Sequence, residues 1–293
     1  MKQLMLLFSL LTSVLLASAQ PSPEAYQLFD KQGRKVSFQE LIATMAQKDA
    51  VFFGEIHNCP IAHWMELKVL EALNERHPAR KLTVGMEMLE ADCQLIVDEY
   101  VQGIVSSDRF EAECRLWDNY ATDYQPLVYF AKVSGLQLIA SNVPRRYASV
   151  VKDRGLAFLD SLSDGAKAYL PPLPIPYERN EQANEGFAMM SMLGKGGQSD
   201  PDLMAQAQAL KDATMAWNMA RVLRQQRPVI HFNGNIHTDA QSGILTYLRH
   251  YAPQASVCTL RSVRQEDIRQ LDETYLGLAD FYLVVPEDMT MSY

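Results

Sequence analysis

Ala50-Val51-Phe52-Phe53-Gly54-Glu55-Ile56-His57 is an apolar run that stops at a glycine and opens into a carboxylate and an imidazole. Far downstream, Pro228-Val229-Ile230-His231-Phe232-Asn233-Gly234-Asn235-Ile236-His237 repeats the pattern. A short, mostly apolar run before a glycine reads as a strand buried on both faces, the kind a parallel sheet needs. Alternation along a strand predicts that Glu55 and His57 share one side, and likewise Asn235 and His237. The glycine before each pair permits a bend or a close approach.

Working outward, further strands are predicted at Leu82–Met88, Leu136–Ser141, Ser256–Leu260 and Phe281–Val285. Helices are predicted at Ile61–Arg76, stopped by His77-Pro78, and at Leu95–Ile104 and Pro126–Val133. The alternation gives an α/β fold: a parallel-sheet core flanked by helices. From 145 to 227 the rhythm changes to helical stretches, a proline-rich bend at 171–176, a glycine-rich loop at 194–199 and a long helix from Pro201 to Gln225. These residues are expected to form a helical insertion, or lid, on a core made of 20–144 and 228–293. The glycine-rich loop lacks both a preceding strand and the lysine spacing of a phosphate cradle.

Apolar residues make up 48% of the 293, enough for a sizeable core, and the formal charge is −8 with no dense basic cluster. A nucleic-acid partner is therefore not expected. Lys2, the apolar run Leu4–Leu16 and Ala17-Ser18-Ala19 read as a signal peptide over 1–19 with cleavage before Gln20. No lipobox cysteine stands at the cleavage site and no transmembrane segment is expected in the mature chain. Cys59, Cys93, Cys114 and Cys258 allow three pairings; Cys93 with Cys114 is the favoured disulfide, against four buried thiols.

Polar groups recur at the same end of the predicted strands. These are Glu55 and His57, then Glu87, then Ser141-Asn142 followed by Arg145, then Asn235 and His237. In an open parallel sheet that end forms the ligand crevice, and buried charges are costly unless paired or metal-bound. Two chemistries fit. Glu55, His57, Glu87 and His237 are candidate catalytic residues of a hydrolase, with His57, His237 and Glu55 holding a divalent metal that activates water. Alternatively, Glu and His perform acid–base work without a metal. A structural role for the whole set is the third reading. Asp212 shares an apolar helical stripe with Met215, Met219 and Val222 and faces either the crevice or the stripe's edge. His63, one turn into a helix, faces either the site or solvent, while His231 reads as a satisfied core histidine. Met86, Met88, Met189, Met190, Met192, Met215 and Met219 fill core or line a pocket for a flat apolar ligand.

Several motifs together carry a family resemblance. These are Gly54-Glu55-Ile56-His57 with His63, Gly85-Met86-Glu87-Met88 with Gln94, and Trp117-Asp118-Asn119-Tyr120 with Tyr124-Gln125-Pro126-Leu127. They continue with Ala140-Ser141-Asn142-Val143-Pro144-Arg145, Asp212-Ala213-Thr214-Met215-Ala216 and Gly234-Asn235-Ile236-His237. In this order the chain resembles the ChaN-like haem-binding proteins of bacterial iron uptake, in the wider Tiki/TraB/erythromycin-esterase superfamily. The resemblance implies an exported protein, periplasmic or at the cell surface, serving haem and iron acquisition. It implies haem held through a tyrosine, with a homodimer around the haem. Tyr177 is the expected ligand, with Arg145, Asp212, Asn142 and His63 as cofactor-binding residues. Other branches of the superfamily use similar Glu and His motifs for hydrolysis, so a metal-dependent hydrolase is the alternative. The chain departs from the family where Asn235-Ile236 precede His237 in place of a Gly-x-Gly-His ending.

Overall fold

The computed structural model describes residues 23–77, 81–178 and 200–293. The expected signal peptide, the 194–199 loop and Met189, Met190 and Met192 lie outside them. Among the described residues the strands are β1 (Gln27–Asp30), β2 (Ala50–Glu55), β3 (Thr83–Glu90), β4 (Gln137–Asn142), β5 (Val229–Gly234), β6 (Val257–Gln265) and β7 (Phe281–Pro286). They form one sheet in the order β1-β7-β6-β2-β5-β3-β4. Every pairing is parallel except β1 with β7. The fold is thus the expected α/β class with a mostly parallel sheet.

The helices are α1 (Phe38–Met45), α2 (Pro60–Arg76), α3 (Gln94–Val101), α4 (Ser107–Glu113), α5 (Gln125–Val133), α6 (Arg145–Arg154), α7 (Asp164–Lys167), α8 (Pro201–Leu223) and α9 (Ile244–Tyr251). Local sequence sets their starts. Ser37 and Glu40 form a reciprocal capping box on α1. Pro60 and Pro201 occupy first-turn positions of α2 and α8, where a missing N–H costs nothing. The expected Leu95–Ile104 helix ends earlier, at Val101, and Gly103 adopts a positive φ in the turn that follows. Strand β1 was not foreseen: four residues at a sheet edge carry too little periodicity to be seen.

Side-chain alternation on β2 divides the core. Val51 and Phe53 pack with residues of α1, α2, α3 and α5; Ala50 and Phe52 pack with residues of α6, α8 and α9. Each large apolar side chain buried here contributes roughly 1.5–3 kcal/mol. Met86, Met88, Met215 and Met219 are all buried core residues. At the β4 edge, Gln94 donates to Leu138 O and accepts from Ala140 N, satisfying backbone that has no next strand. No helix among the described residues is long and apolar enough to cross a membrane.

The chain runs from β2 past the future place of β5 to β3 and β4, then returns to insert β5 between β2 and β3. The direction of strand addition reverses there, which is where an open sheet leaves a crevice at its C-terminal edge. Glu55 ends β2, Gly234 ends β5, and Glu87 lies late on β3. Between Met86 and Glu90 the register shifts against β4, so the last turn of β3 is irregular beside the crevice.

Candidate functional site

Two clusters of histidine and carboxylate meet at this edge, buried except for a partly exposed His57. In the first, His57 Nδ1–H donates to Glu55 Oε1 at 2.6 Å, and Tyr124 Oη donates to the same oxygen at 2.7 Å. Glu55 is buried, and burial alone penalises its charge. The hydrogen bond from His57 and the His63 imidazole beside it outweigh that penalty and hold its carboxyl well below the usual range. His57 is opposed by burial but raised by the Glu55 hydrogen bond and charge. Trp117 sets its edge against the His57 ring, with centroids 5.0 Å apart.

His63 is buried and turns inward, which settles its direction. Its Nδ1 lies 3.1 Å from Glu66 Oε2 and 3.4 Å from Glu55 Oε2. Its Nε2 lies 3.1 Å from His57 O and 3.4 Å from Asp123 Oδ2. Burial works against its charge, yet the Glu55 and Glu66 carboxylates beside it raise it to about 11. Glu66 is pushed well up, by burial first and then by the Glu55 charge.

In the second cluster His237 lies between two carboxylates. Nε2 is 3.0 Å from Glu87 Oε1, and Nδ1 makes a short contact with Asp212 from α8. Burial opposes the imidazolium, but the Glu87 and Asp212 charges raise it to about 10. Glu87, despite burial, is held down to about 2 by His237. Burial raises Asp212. Glu87 Oε2 also accepts Gly234 N–H at 2.8 Å. The clusters touch through glycine: a Cβ on Gly234 would lie 2.8 Å from His57 Nε2 and 3.7 Å from Glu87 Oε2.

The structure therefore brings together Glu55, His57, His63, Glu87, Asp212 and His237. Others of the expected set have side-chain partners outside these clusters. Asn142 turns its Oδ1 to the backbone N–H of Val143. Arg145 pairs with Glu90 and lines a cleft of about 660 Å³ with Trp117, Asn119, Thr122 and Tyr293. Tyr177 donates to Asp202 Oδ1 at 3.0 Å, and Tyr247, beside it, donates to Pro176 O. Both ring nitrogens of His237 are engaged, so a metal there would displace Glu87 or Asp212.

The alternation expected after Gly234 fails. Asn235–His237 is a 3₁₀ turn, in which residues two apart diverge by about two thirds of a turn. Asn235 consequently clamps Ser262 of β6 through both its amide atoms, while His237 faces Glu87. His231 is a core histidine, held by Ser141 and Asn233, and its burial lowers it to about 4. All four cysteines are free, so the Cys93–Cys114 bridge is not formed, although the two thiols are hydrogen-bonded neighbours.

Sequence reasoning gave no role to Glu66, Asp123 or Tyr124. Glu66 stands one helical turn after His63, a spacing that puts both on one face. Tyr124 and Asn119 belong to quoted motifs, but only the fold carries them from the start of α5 to the end of β2.

An open α/β sheet with histidine–carboxylate pairs at its switch point defines the class: an α/β protein with one polar crevice at the strand ends. The chain belongs to the family described as "Haem-binding uptake, Tiki superfamily, ChaN", whose model matches residues 41–248. Among solved structures, the cofacial-haem-binding ChaN of Campylobacter jejuni is similar, with a TM-score of 0.69 at 16% identity over 89% of this chain and 97% of that one. A Bacillus cereus protein gives 0.49 at 11% identity over 89% and 95%. An erythromycin esterase in its open conformation gives 0.46 at 13% identity over 89% and 83%. No curated protein is significantly similar in sequence.

Proposed function

We propose that this is an exported haem-binding protein that serves bacterial haem and iron acquisition, in the periplasm or at the cell surface. The observation that carries the reading is family membership across residues 41–248. Export rests on the leader-like 1–19 segment.

The residues present suit haem chemically. Haem needs an oxygen or nitrogen donor for iron, apolar walls and cations for its propionates. Tyr177 is the proposed iron ligand. Its ring is half-buried against the apolar cluster of α8 and α9, and Asp202 holds its hydroxyl proton and so enriches the oxygen. Arg145 is the proposed propionate partner, beside Trp117 in the cleft. Arg145 pairs with Glu90 and Tyr177 with Asp202, so the two are held by different elements, which suits a haem surrounded by two copies of the chain. When bound, the group supplies the iron chemistry; the protein's part is to hold and shield it.

The Glu/His crevice is then an organising polar core under the pocket. A metal-dependent hydrolase is less favoured, because His237 has no free ring nitrogen and His57 alone keeps an unpaired Nε2.

The test is a haemin titration of the purified mature protein, read at the Soret band and by size-exclusion chromatography. Saturable binding at one haem per chain with a shift to dimer is expected. No saturable spectral change would overturn the proposal.

A further inference from the structure

One part of the crevice is left unexplained by haem. Glu55 and Glu66 are both fully buried, and their carboxyl groups face each other beside His63 Nδ1. Glu55 Oε2, 3.4 Å from that nitrogen, has no hydrogen-bond partner, and neither does Glu66 Oε1. One donor atom from each of Glu55, His63 and Glu66 lies within 4.8 Å of the others. Leaving such oxygens unpaired in the interior is costly, and native proteins seldom do so without a bound group.

The imidazole supplies the second argument. His63 Nε2 faces only acceptors, the His57 carbonyl and the Asp123 carboxylate. It must carry a hydrogen. Nδ1 then points at two carboxylates, and something positive has to lie between them. A proton on Nδ1 bonds well to Glu66 Oε2, at 3.1 Å, and leaves Glu55 Oε2 and Glu66 Oε1 unpaired. A metal ion takes a lone pair from each of the three groups at once. A ligating imidazole whose far N–H is anchored on a carbonyl or carboxylate is the usual arrangement in metalloproteins.

We propose that Glu55, His63 and Glu66 form a binding site for one first-row divalent cation, buried between the end of β2 and the first two turns of α2. One nitrogen and two carboxylate oxygens are donors for zinc, cobalt or manganese, and the two glutamate charges neutralise the ion. The site differs from one built on His57 and His237, and it needs neither. Tyr124 and His57 hold Glu55 through Oε1 and leave Oε2 for the ion. The cation fastens strand to helix directly beneath His57, and so fixes that ring. The inference does not depend on haem, and its test uses the metals alone.

Full-length mature protein, stripped by dialysis against a chelator, is titrated with Co²⁺, Zn²⁺ and Mn²⁺, and the retained metal is counted after gel filtration. Retention of one equivalent of at least one ion, with a raised unfolding temperature, is expected. The Co²⁺ form should have ligand-field absorption and no thiolate charge-transfer band. Glu66→Gln keeps the shape and loses the charge; it should weaken binding by about tenfold or more. Should that variant not fold, wild-type protein still decides the matter by proton NMR of the Co²⁺ form. One hyperfine-shifted, slowly exchanging ring N–H, from His63 Nε2, is expected. Two such signals would move the ion to a pair of histidines and overturn the assignment. So would undiminished binding in a folded Glu66→Gln, or stripped protein that retains none of the three ions, which would leave a shared proton between the glutamates.

Discussion

His57 Nδ1–H donates to Glu55 Oε1 at 2.6 Å, so one buried carboxylate oxygen decides which way the imidazole faces. Burial lowers the basicity of His57, and the Glu55 hydrogen bond and charge more than restore it. Replacing Glu55 by Gln removes the restoring part and leaves the burial. The His57 pKa, followed by NMR of the ring carbons, should fall in Glu55→Gln. An unchanged or higher pKa would mean that other groups hold the ring.

Iron ligation by a phenol makes a separate demand. Tyr177→Phe removes the oxygen and keeps the ring packed against α8 and α9. Haemin affinity should drop by about tenfold or more, a loss of ~1.4 kcal/mol. Glu55→Gln should leave it nearly unchanged. A haemin titration in which His57→Ala is crippled and Tyr177→Phe is not would transfer the ligand to the imidazole, whose Nε2 is unpaired.

The central sheet could be read in the sequence because β2 and β5 are mostly apolar runs that reach a glycine at or next to their last residue, and sheet interiors demand such runs. That Glu55 and Glu87 stand at the same end of the sheet was legible from strand polarity alone. What could not be read depends on chain paths between elements. Asp212 reaches His237 only because α8 crosses that face of the sheet. Tyr124 reaches Glu55 because a π-helical turn at Tyr120–Tyr124 precedes α5. The turn after Gly234 escaped because two apolar or polar residues following a strand carry no signal for 3₁₀ geometry.

The His237 pair makes stability depend on pH, and the sign follows from each shift. His237 is raised from 6.5 to about 10, so its contribution is complete below 6.5 and fades as pH climbs to 10. Glu87 is lowered from 4.5 to about 2, so its contribution is complete above 4.5 and fades as pH falls to 2. Asp212, raised by burial, subtracts as pH rises past its ordinary 3.8. Together they place the best stability between about 4.5 and 6.5. Glu87→Gln leaves a buried imidazolium half-paired and should cost about 3 kcal/mol near pH 6. Denaturant unfolding of both proteins across pH checks this; parallel curves for the two would refute the pairing.

Cys93 and Cys114 are free but adjacent, and their shared hydrogen bond lowers Cys93 to about 6. A thiol that gives up its proton more readily, beside a second thiol, is primed for oxidation. Mild treatment with oxidised glutathione should join them. Of the four thiols, two, Cys59 and Cys258, should then remain titratable under denaturing conditions. Peptide mapping that finds any other pairing, or four thiols still free, would count against it.

Gly234 tests whether the two clusters need their close contact. Its φ of −61° suits alanine, so backbone freedom does not explain the glycine. Space does. The added methyl would lie 2.8 Å from His57 Nε2 and 2.9 Å from its Cε1, closer than carbon approaches any such atom. The ring must swing away, which strains its bond to Glu55, or β5 must shift, which strains Glu87. Gly234→Ala should therefore cost about 1–3 kcal/mol and move the His57 ring resonances. Gly165→Ala, where a Cβ would meet nothing within 4 Å, should cost nothing. If the two alanine variants unfold at the same denaturant concentration, His57 has room to yield, and the contact between the clusters is not what keeps glycine at the end of β5.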